Sequence, residues 1–324
     1  MKKQKYTILV TGSAGFIGFH TALKLLKLGH TVVGLDNLNE YYDVQLKLDR
    51  NTILKDHDHY TFYKVNLADF RESEKVFQKH KFDYVIHLAA QAGVRYSLTN
   101  PQVYQESNLA GMLNILECVR AHPPLNTLFA SSSSVYGNNK PGKSGYTETD
   151  KVDNPISLYA ATKKADELMA FTYHHLFKLN ISGFRFFTVY GPWGRPDMAY
   201  FSFTKALKTD TPIKIFNQGK MWRDFTYVDD IVDGLIKAMT KPMGYEIFNL
   251  GNNEPVKLGT FVSIIEKLNK QEFDKIFEPL QPGDVLKTHA NINKAQKLLS
   301  YQPKTSIEKG LKEFSKWFNN YYDF

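Results

Sequence analysis

Two side chains that could move a proton lie one helical turn apart in the segment Tyr159-Ala-Ala-Thr-Lys163. Residues at positions i and i+4 share one face of a helix. A free tyrosine has a pKa of about 10 and is a poor base at neutral pH, but a nearby lysine cation favours the phenolate. The spacing therefore predicts that Tyr159 is a proton acceptor activated by Lys163. An ordinary Tyr–Lys pair on a helix surface is the alternative interpretation.

A run of four serines, Ser131 to Ser134, lies upstream of this pair and precedes Val135-Tyr-Gly137. A hydroxyl group at the end of a strand can bind an oxygen atom whose carbon loses a hydride. Serine runs are more often plain loops. The functional interpretation depends on the order along the chain, in which a glycine turn, the serines, the tyrosine and the lysine follow one another.

The glycine turn is Gly12-Ser-Ala-Gly15-Phe-Ile-Gly18, between a predicted strand and a predicted helix. Glycines there allow a tight turn, close approach of backbone N–H groups to a pyrophosphate and close helix–strand packing. Asp36 ends the next predicted strand, where a carboxylate accepts from ribose hydroxyls and disfavours a 2′-phosphate, so the predicted cofactor is NAD. Glycines that only punctuate a turn and an ordinary strand-end acid are the alternatives.

Alternating strands and helices in the first half of the chain must position these residues. Predicted strands are Tyr6–Val10, Thr31–Leu35, Tyr60–Val65, Tyr84–His87, Thr127–Ala130 and Ile181–Phe186. Predicted helices are Phe16–Leu28, Glu72–Lys79, Val103–Val119 and Leu158–Phe177. This alternation predicts an α/β fold with a Rossmann-type doubly wound parallel sheet. Because the pattern becomes irregular after about Gly191, we predict an NAD-binding domain over residues 1–188 and a smaller α+β substrate-binding domain over residues 189–324, interleaved with the first.

The composition is that of a globular protein, with 43% hydrophobic and 23% charged residues among 324. The net charge of +8 comes from 41 Lys and Arg against 33 Asp and Glu, and these residues are scattered, so no nucleic-acid partner is predicted. No apolar run is long enough to span a membrane. The single cysteine, Cys118, excludes an internal disulfide, and the adjacent His174 and His175 point to different helix faces, so we predict no metal site.

The glycine turn, the serines and the Tyr–Lys pair together resemble the extended short-chain dehydrogenase/reductase superfamily, the NAD-dependent epimerases and dehydratases. Longer blocks look like the UDP-glucuronate 4-epimerases within it: Leu35–Asp43, Ala89–Ser97, Ser157–Lys164, Arg185–Ala199, Arg223–Asp230 and Gln281–Asp284. The resemblance implies an NAD-dependent isomerase that interconverts UDP-glucuronate and UDP-galacturonate through a transient 4-keto sugar. It also implies a homodimer joined by the helices around Val103–Val119 and Leu158–Phe177.

The resemblance assigns roles to individual residues. Tyr159 would take the proton of the sugar 4-hydroxyl beside Lys163, and Ser132 would share the 4-oxygen. Implied cofactor contacts are Gly12, Gly15, Phe16, Ile17, Gly18, Asp36, Asn37, Asn66, Leu67, Ala89, Ala90, Gln91, Asn108, Tyr159 and Lys163. Implied substrate contacts are Ser132, Ser134, Thr188, Arg195, Arg223 and Asp284. Among these, Arg195 would hold the glucuronate carboxylate, Arg223 the pyrophosphate and Asp284 the uridine ribose; a structural ion pair is the alternative for Arg195.

Several positions depart from related patterns. Ser133 and Ser134 stand where the dehydratases carry an Asp–Glu pair, so the chemistry is expected to stop at epimerisation. Asn66 replaces the usual Asp, and Gly145-Tyr146 replaces the usual Pro-Phe beside the sugar site, which leaves the preferred C5 substituent open. The role of Arg95 also stays open.

Two alternative functions remain at this point. One is a 4-epimerase for another UDP-sugar, such as UDP-N-acetylglucosamine, and the other is a non-catalytic NAD-binding protein. For the leading function, the chain lacks the N-terminal membrane anchor of plant relatives, so a cytoplasmic enzyme is expected. Its product would supply acidic sugars for the biosynthesis of a surface polysaccharide.

Overall fold

A computed structural model describes residues 4–280 and 285–324 of the chain. The strands in these residues are β1 (Thr7–Thr11), β2 (Thr31–Asp36), β3 (Tyr60–Lys64), β4 (Tyr84–His87), β5 (Asn126–Ser132), β6 (Ile181–Phe186), β7 (Thr188–Tyr190), β8 (Ile213–Phe216), β9 (Trp222–Tyr227), β10 (Tyr245–Leu250), β11 (Pro255–Lys257) and β12 (Lys275–Glu278). The α-helices are α1 (Phe16–Lys27), α2 (Val44–Lys55), α3 (Phe70–Lys79), α4 (Tyr96–Thr99), α5 (Gln102–Tyr104), α6 (Gly111–Ala121), α7 (Leu158–Phe177), α8 (Ala199–Lys208), α9 (Val228–Met239), α10 (Leu258–Asn269), α11 (Asn293–Leu299) and α12 (Ile307–Tyr322).

The central sheet has seven parallel strands in the order β10-β6-β5-β4-β1-β2-β3. Its strands read as apolar runs because both faces are covered: Val10 packs in one core cluster with Phe19 of α1, and Leu9 in the other with Ile115 of α6. The strand order reverses between β1 and β4, which places a crevice at their carboxyl ends. The predicted Rossmann-type doubly wound parallel sheet is confirmed.

Most predicted elements lie where the sequence pattern indicated. The strands β4 and β6 and the helix α7 have the predicted bounds. Helix α3 begins two residues earlier than predicted, because the Asp69 side chain caps it by accepting from the Glu72 N–H at 3.2 Å. The predicted helical stretch Val103–Val119 is helical throughout, and the structure adds a π-helical turn at Gln105–Ala110 between α5 and α6 that the sequence pattern did not indicate.

Helix α2 lies between β2 and β3 and was missed by the sequence pattern. Its inner face carries the buried polar side chains Lys47, Arg50 and Asn51 in addition to Leu46 and Leu54. An apolar stripe at helical spacing is therefore absent, although the helix is buried on one side. The polar residues on that face turn out to belong to the functional site.

The remaining strands form a three-stranded sheet in the order β11-β9-β7 and a β12-β8 pair. Helices α8, α10 and α12 pack around them in a separate core cluster that includes Phe225, Phe261 and Phe314. Strand β10 joins the central sheet although it follows residue 188, so chain order and spatial order differ. The division into domains at residue 188 stays a prediction. Within the described residues, no helix is long and apolar enough to cross a membrane.

Candidate active site

A cavity of about 730 Å³ opens at the carboxyl ends of the central strands. Predicted site residues that line it are Gly12, Gly15, Phe16, Ile17, Gly18, Asp36, Asn37, Asn66, Leu67, Ala89, Ala90, Gln91, Ser132, Ser134, Tyr159, Lys163, Thr188, Arg195 and Arg223. Asn108 does not line it, and Asp284 lies outside the described residues. The structure therefore brings nearly all of the predicted residues to one cavity.

The glycine turn is held at distances that only glycine tolerates. Gly12 has a φ of +69°, and a Cβ atom on Gly18 would lie 1.9 Å from the Gly12 carbonyl oxygen. Helix α1 starts directly after Gly15, and no side chain of the described residues caps its first turn. Because an uncapped helix N-terminus beside a cavity suits a phosphate, the turn fits the pyrophosphate of the predicted NAD.

Asp36 ends β2 with its carboxylate held by the backbone of two loops. Its Oδ2 accepts from the Ala14 N–H at 3.1 Å and its Oδ1 from the Leu38 N–H at 2.8 Å. Burial raises the pKa of Asp36, while these N–H groups and the nearby Lys47 act in the opposite direction. The carboxylate thus faces the cavity from a fixed position, as recognition of a ribose requires.

Asn108 supports the cavity wall from behind. Its Oδ1 accepts from the Gln91 N–H at 2.8 Å, and its Nδ2 donates to the Gln91 carbonyl at 3.1 Å and to Thr162 Oγ1 at 2.9 Å. The residue lies in the π-helical turn that the sequence pattern missed, and it is buried. These bonds join the segment after β4 to helix α7, so Asn108 positions Gln91 in this structure.

Tyr159 and Lys163 lie one turn apart near the start of α7, and both line the cavity as predicted. Tyr159 is half-buried, and its ring meets Tyr104 edge-on at a centroid distance of 6.1 Å. The Lys163 ammonium is buried and donates to Asp166 Oδ2 at 2.7 Å. Asp166 was not identified from the sequence, although its i, i+3 spacing from Lys163 is a recognisable signal.

The serines at the end of β5 take different roles. Ser132 caps the 3₁₀ turn Ser133–Tyr136 by accepting from the Ser134 N–H at 3.2 Å, and its side chain lines the cavity. Ser131 instead donates to Glu167 Oε1 at 2.7 Å, and Arg185 donates to both oxygens of the same carboxylate at 2.8 Å. This buried pair ties α7 to the sheet beneath the Tyr159–Lys163 turn.

His87 is a packed residue at the end of β4. Its Nδ1 lies 2.7 Å from Thr11 Oγ1, which also accepts from the Ala89 N–H at 3.2 Å. Burial, with a smaller effect of Lys163, lowers the pKa of His87 to about 3. The imidazole is therefore neutral at ordinary pH.

Arg195 lines the cavity and is also engaged by a neighbouring acid. Its Nε donates to Asp197 Oδ1 at 3.0 Å, its Nη2 donates to Asp197 Oδ2, and Tyr41 donates to the same Oδ2 at 3.1 Å. The ion pair that the sequence left as an alternative is thus present, within the cavity wall.

Arg223 also lines the cavity and donates to the Trp222 carbonyl at 2.9 Å. Arg95 lies over the Phe216 ring at 4.5 Å and lines the same cavity.

Arg50 is a functional candidate that the sequence pattern missed. Its guanidinium is fully buried and donates to the Ala14 carbonyl at 2.9 Å, the Trp193 carbonyl at 2.6 Å and the Gly194 carbonyl at 3.1 Å. The first carbonyl belongs to the glycine turn and the other two to the loop that carries Arg195. Arg50 therefore connects the two sides of the cavity.

Comparison with known proteins gives consistent matches over the whole length. Residues 8–251, from β1 to just beyond β10, match the NAD dependent epimerase/dehydratase family. The uncharacterized protein MJ1055 of Methanocaldococcus jannaschii is 51% identical over 96% of this chain and 95% of its own length. UDP-glucuronate 4-epimerase 1 of Arabidopsis thaliana is 47% identical over 98% of this chain and 78% of its own. UDP-glucuronic acid 4-epimerase from Bacillus cereus, crystallised with UDP-glucuronic acid and NAD, has a TM-score of 0.91 at 34% identity, covering 98% of this chain and 100% of that chain.

Proposed function

The chain belongs to the NAD-dependent epimerase/dehydratase family, and we propose that it is an NAD-dependent 4-epimerase that interconverts UDP-glucuronate and UDP-galacturonate. The observation that carries the proposal is the one cavity that the glycine turn, Ser132, Tyr159, Lys163 and Arg195 all line. It combines a dinucleotide site, a proton acceptor and a cation for a sugar carboxylate.

Tyr159 takes the proton of the sugar 4-hydroxyl and later returns it, so the sugar passes through a transient 4-keto form. NAD, when bound, supplies the acceptor and donor for the hydride at C4. Lys163 holds the nicotinamide ribose and places positive charge beside the phenolate, and Ser132 shares the 4-oxygen with Tyr159. Ser133 and Ser134 carry no carboxyl group, so this region offers no acid or base for elimination of water.

The substrate's charges require partners on the second side of the cavity. Arg195 receives the glucuronate carboxylate, with Ser134 and Thr188 lining the same cavity. Arg223 is proposed for the pyrophosphate. Asp284, proposed for the uridine ribose, lies outside the described residues.

The proposed cofactor contacts are those inferred from the sequence, with one revision. Asn108 is proposed to act through Gln91, because its side-chain bonds go to the Gln91 backbone and to Thr162. The remaining proposed contacts line the cavity.

The test is to incubate the purified protein with UDP-glucuronate, without added NAD, and to follow the sugar C4 proton by NMR. The epimer with an axial 4-hydroxyl is expected, which demonstrates both the reaction and retention of the cofactor. If no epimer forms even after NAD is added, the proposal is wrong. Formation of product from UDP-N-acetylglucosamine alone would favour the alternative substrate.

An Arg195→Ala variant separates the two substrates. Turnover of UDP-glucuronate is expected to fall by about 100-fold, since the sugar carboxylate loses its bidentate partner. Turnover of a neutral UDP-sugar should change little. Equal losses with both substrates would assign Arg195 to the loop structure instead.

We also infer a homodimer whose interface includes α6 and α7. Leu113 of α6 is 43% exposed, and Leu168 and Phe171 of α7 are 56% and 51% exposed, so apolar side chains on these helices face outward. Phe171→Glu is expected to convert the dimer to a monomer, measured by light scattering at a series of concentrations. A wild-type protein that is monomeric at micromolar concentration would contradict the inference.

We place the reaction in the cytoplasm and its product in the biosynthesis of an acidic surface polysaccharide. The buried, unpaired Cys118 is compatible with a reducing compartment. UDP-galacturonate is an activated acidic sugar and is chemically suited to a glycosyl transfer. Loss of galacturonate from surface polysaccharide after deletion of the gene is the expected result.

A further inference from the structure

The lysine of the proposed proton-transfer pair, Lys163, forms a buried ion pair with Asp166. Lys163 Nζ and Asp166 Oδ2 are 2.7 Å apart, and the two side chains are 3% and 1% exposed. The other carboxylate oxygen, Oδ1, is buried and has no hydrogen-bond partner among residues 4–280 and 285–324. One oxygen of this carboxylate thus bonds to the ammonium, and the other is buried without a hydrogen bond from the described residues.

The neighbouring residue Glu167 has a structural role, and its hydrogen bonds differ from those of Asp166. Both of its oxygens accept from Arg185, and one also accepts from Ser131, so the carboxylate ties α7 to the sheet. The Asp166 carboxylate has its one hydrogen bond, within the described residues, to Lys163. A buried ion pair with an unsatisfied oxygen is weak evidence for a stabilising role, because desolvation offsets the attraction.

We propose that Asp166 is a positioning residue for Lys163, which holds the ammonium in place and offsets part of the positive charge that Tyr159 experiences. This inference rests on the proposed function, in which Tyr159 exchanges the proton of the sugar hydroxyl. Asp166 would not touch the substrate. It would set the pH range in which the tyrosine can accept a proton.

The other groups around Lys163 leave Asp166 as the anion that faces it. His87, at the end of β4, is neutral because burial lowers its pKa to about 3. The Glu167 carboxylate, on the same helix, is engaged by Arg185 of β6. Tyr104, whose ring meets that of Tyr159, is kept neutral because burial raises its pKa.

Arg195, which lines the same cavity, also interacts electrostatically with Tyr159. Arg195 is itself paired with Asp197. The ammonium of Lys163 and the carboxylate of Asp166 form a buried ion pair of α7 in the turn that follows Tyr159.

The carboxylate itself titrates near the working range of an enzyme. Burial raises the pKa of Asp166 to about 6, although the Lys163 ammonium and its hydrogen bond act in the opposite direction. At neutral pH Asp166 is thus charged and offsets the ammonium, whereas at lower pH it takes up a proton and exposes the full positive charge to Tyr159. The pair would keep a positive field on the tyrosine as the solution becomes acidic.

The test uses Asp166→Asn, an isostere that can keep the hydrogen bond to Lys163 through its amide oxygen while removing the charge. The measurement is the ultraviolet absorbance of tyrosinate against pH, with the matching Tyr159→Phe protein subtracted. The midpoint is expected about one pH unit lower in Asp166→Asn than in the wild type, because an opposing charge has been removed. Asp166→Ser removes the same charge with a smaller side chain, and the same lowered midpoint is expected.

A double-mutant cycle tests whether Asp166 acts through Lys163. In a Lys163→Met background the buried Asp166 has lost its counter-ion and is expected to take up a proton, so Asp166→Asn removes no charge there and should leave the tyrosinate midpoint unchanged. An unchanged midpoint in Asp166→Asn alone, or an equal shift in the Lys163→Met background, would overturn the proposal.

Asp230→Asn is the matched control for loss of a buried carboxylate. Asp230 accepts from the Lys304 N–H at 3.0 Å and the Thr305 N–H at 3.1 Å, and it is not among the residues that line the cavity. Its loss should lower the melting temperature without moving the tyrosinate midpoint; a shift equal to that of Asp166→Asn would overturn the assignment. Since the titration needs no substrate, a protein that fails to epimerise UDP-glucuronate but shows the shift would refute the proposed function and leave the role of Asp166 intact.

Discussion

The cavity has a cofactor side that is shaped mainly by backbone groups and a sugar side that is shaped mainly by side chains. On the cofactor side, the shape comes from backbone: a Cβ on Gly12 would lie 2.8 Å from the backbone nitrogen of Ala89, and one on Gly18 would lie 1.9 Å from the Gly12 carbonyl oxygen. On the sugar side, it comes from side chains that meet across the molecule, such as Tyr41 and Asp197 around Arg195. A site made of backbone tolerates little substitution, whereas a site made of side chains can be adapted to another substrate.

The turn of α7 that carries Tyr159 and Lys163, the proposed proton-transfer pair, lines the same cavity. Its lysine and tyrosine line the same cavity as both, and its Glu167 is fixed to the sheet through Arg185. If the two sides differ in this way, variants of the α7 turn should lower kcat, variants of the cofactor side should lose NAD, and variants of the sugar side should change the KM for UDP-glucuronate.

Tyr159→Phe should give the largest effect and should not distinguish the two sides. We expect kcat to fall by about 1,000-fold, because the proton acceptor is gone while the ring still packs. The content of bound NAD and the KM for UDP-glucuronate should change little, as measured by extraction of the cofactor and by steady-state kinetics. A fall of less than tenfold would remove Tyr159 from the central role.

Gly18→Ala should break the cofactor side alone. The added Cβ would lie 1.9 Å from the Gly12 carbonyl oxygen, so the turn must shift, and we expect about 3 kcal/mol of lost stability together with loss of NAD. Denaturant unfolding and cofactor content are the measurements. Gly259→Ala is the control, because the nearest atom to its Cβ is 3.9 Å away. A Gly18→Ala protein that purifies with full NAD would contradict the account.

His87 should make the stability of the cofactor side depend on pH, because it contacts Thr11, which in turn bonds to Ala89 in the cavity wall. The pKa of His87 is lowered to about 3 in the folded protein, so the unfolded chain binds the additional proton as the pH falls below 6.5. The free energy of unfolding should therefore be lower at pH 5 than at pH 7, with about 2 kcal/mol of the difference due to His87. His87→Gln should reduce this pH dependence by that amount in urea unfolding. An unchanged dependence would show that the pKa of His87 is the same in the folded and unfolded states.

Asp197→Asn should give the smallest effect, confined to the sugar side. The Asp197 carboxylate is bonded to the guanidinium of Arg195 and would compete for it with the sugar carboxylate of the proposed substrate. We expect the KM for UDP-glucuronate to fall by about fivefold, corresponding to about 1 kcal/mol, while NAD content stays the same. A higher KM would instead mean that Asp197 mainly holds Arg195 in position.

The same contrast explains what could be predicted from the sequence. The turn after β1 and the acid after β2 were identified because local sterics and spacing demand those residue types. The ion pair of Arg195 was left open although Asp197 is only two residues away, because Tyr41, which donates to the Asp197 carboxylate, is distant along the chain. Helix α2 was missed because its inner face carries Lys47 and Arg50, which bond to loops that no local pattern reveals. The π-helical turn containing Asn108 was missed, and the contact that Asn108 makes from it is with Gln91, which is distant along the chain.

Asp166 differs from both, because its ion pair with Lys163 follows from local spacing in the sequence. Its spacing from Lys163 predicts an ion pair on any helix. Its significance depends on burial, which the sequence does not show directly.

The central claim is that one cavity removes a hydrogen from C4 of the sugar and returns the same hydrogen to its other face. The most direct test is to supply UDP-glucuronate deuterated at C4 and to locate the label in the UDP-galacturonate by NMR and mass spectrometry. The account predicts that the deuterium is retained at C4 of the product, with none acquired from solvent. Loss of the label to water would contradict it.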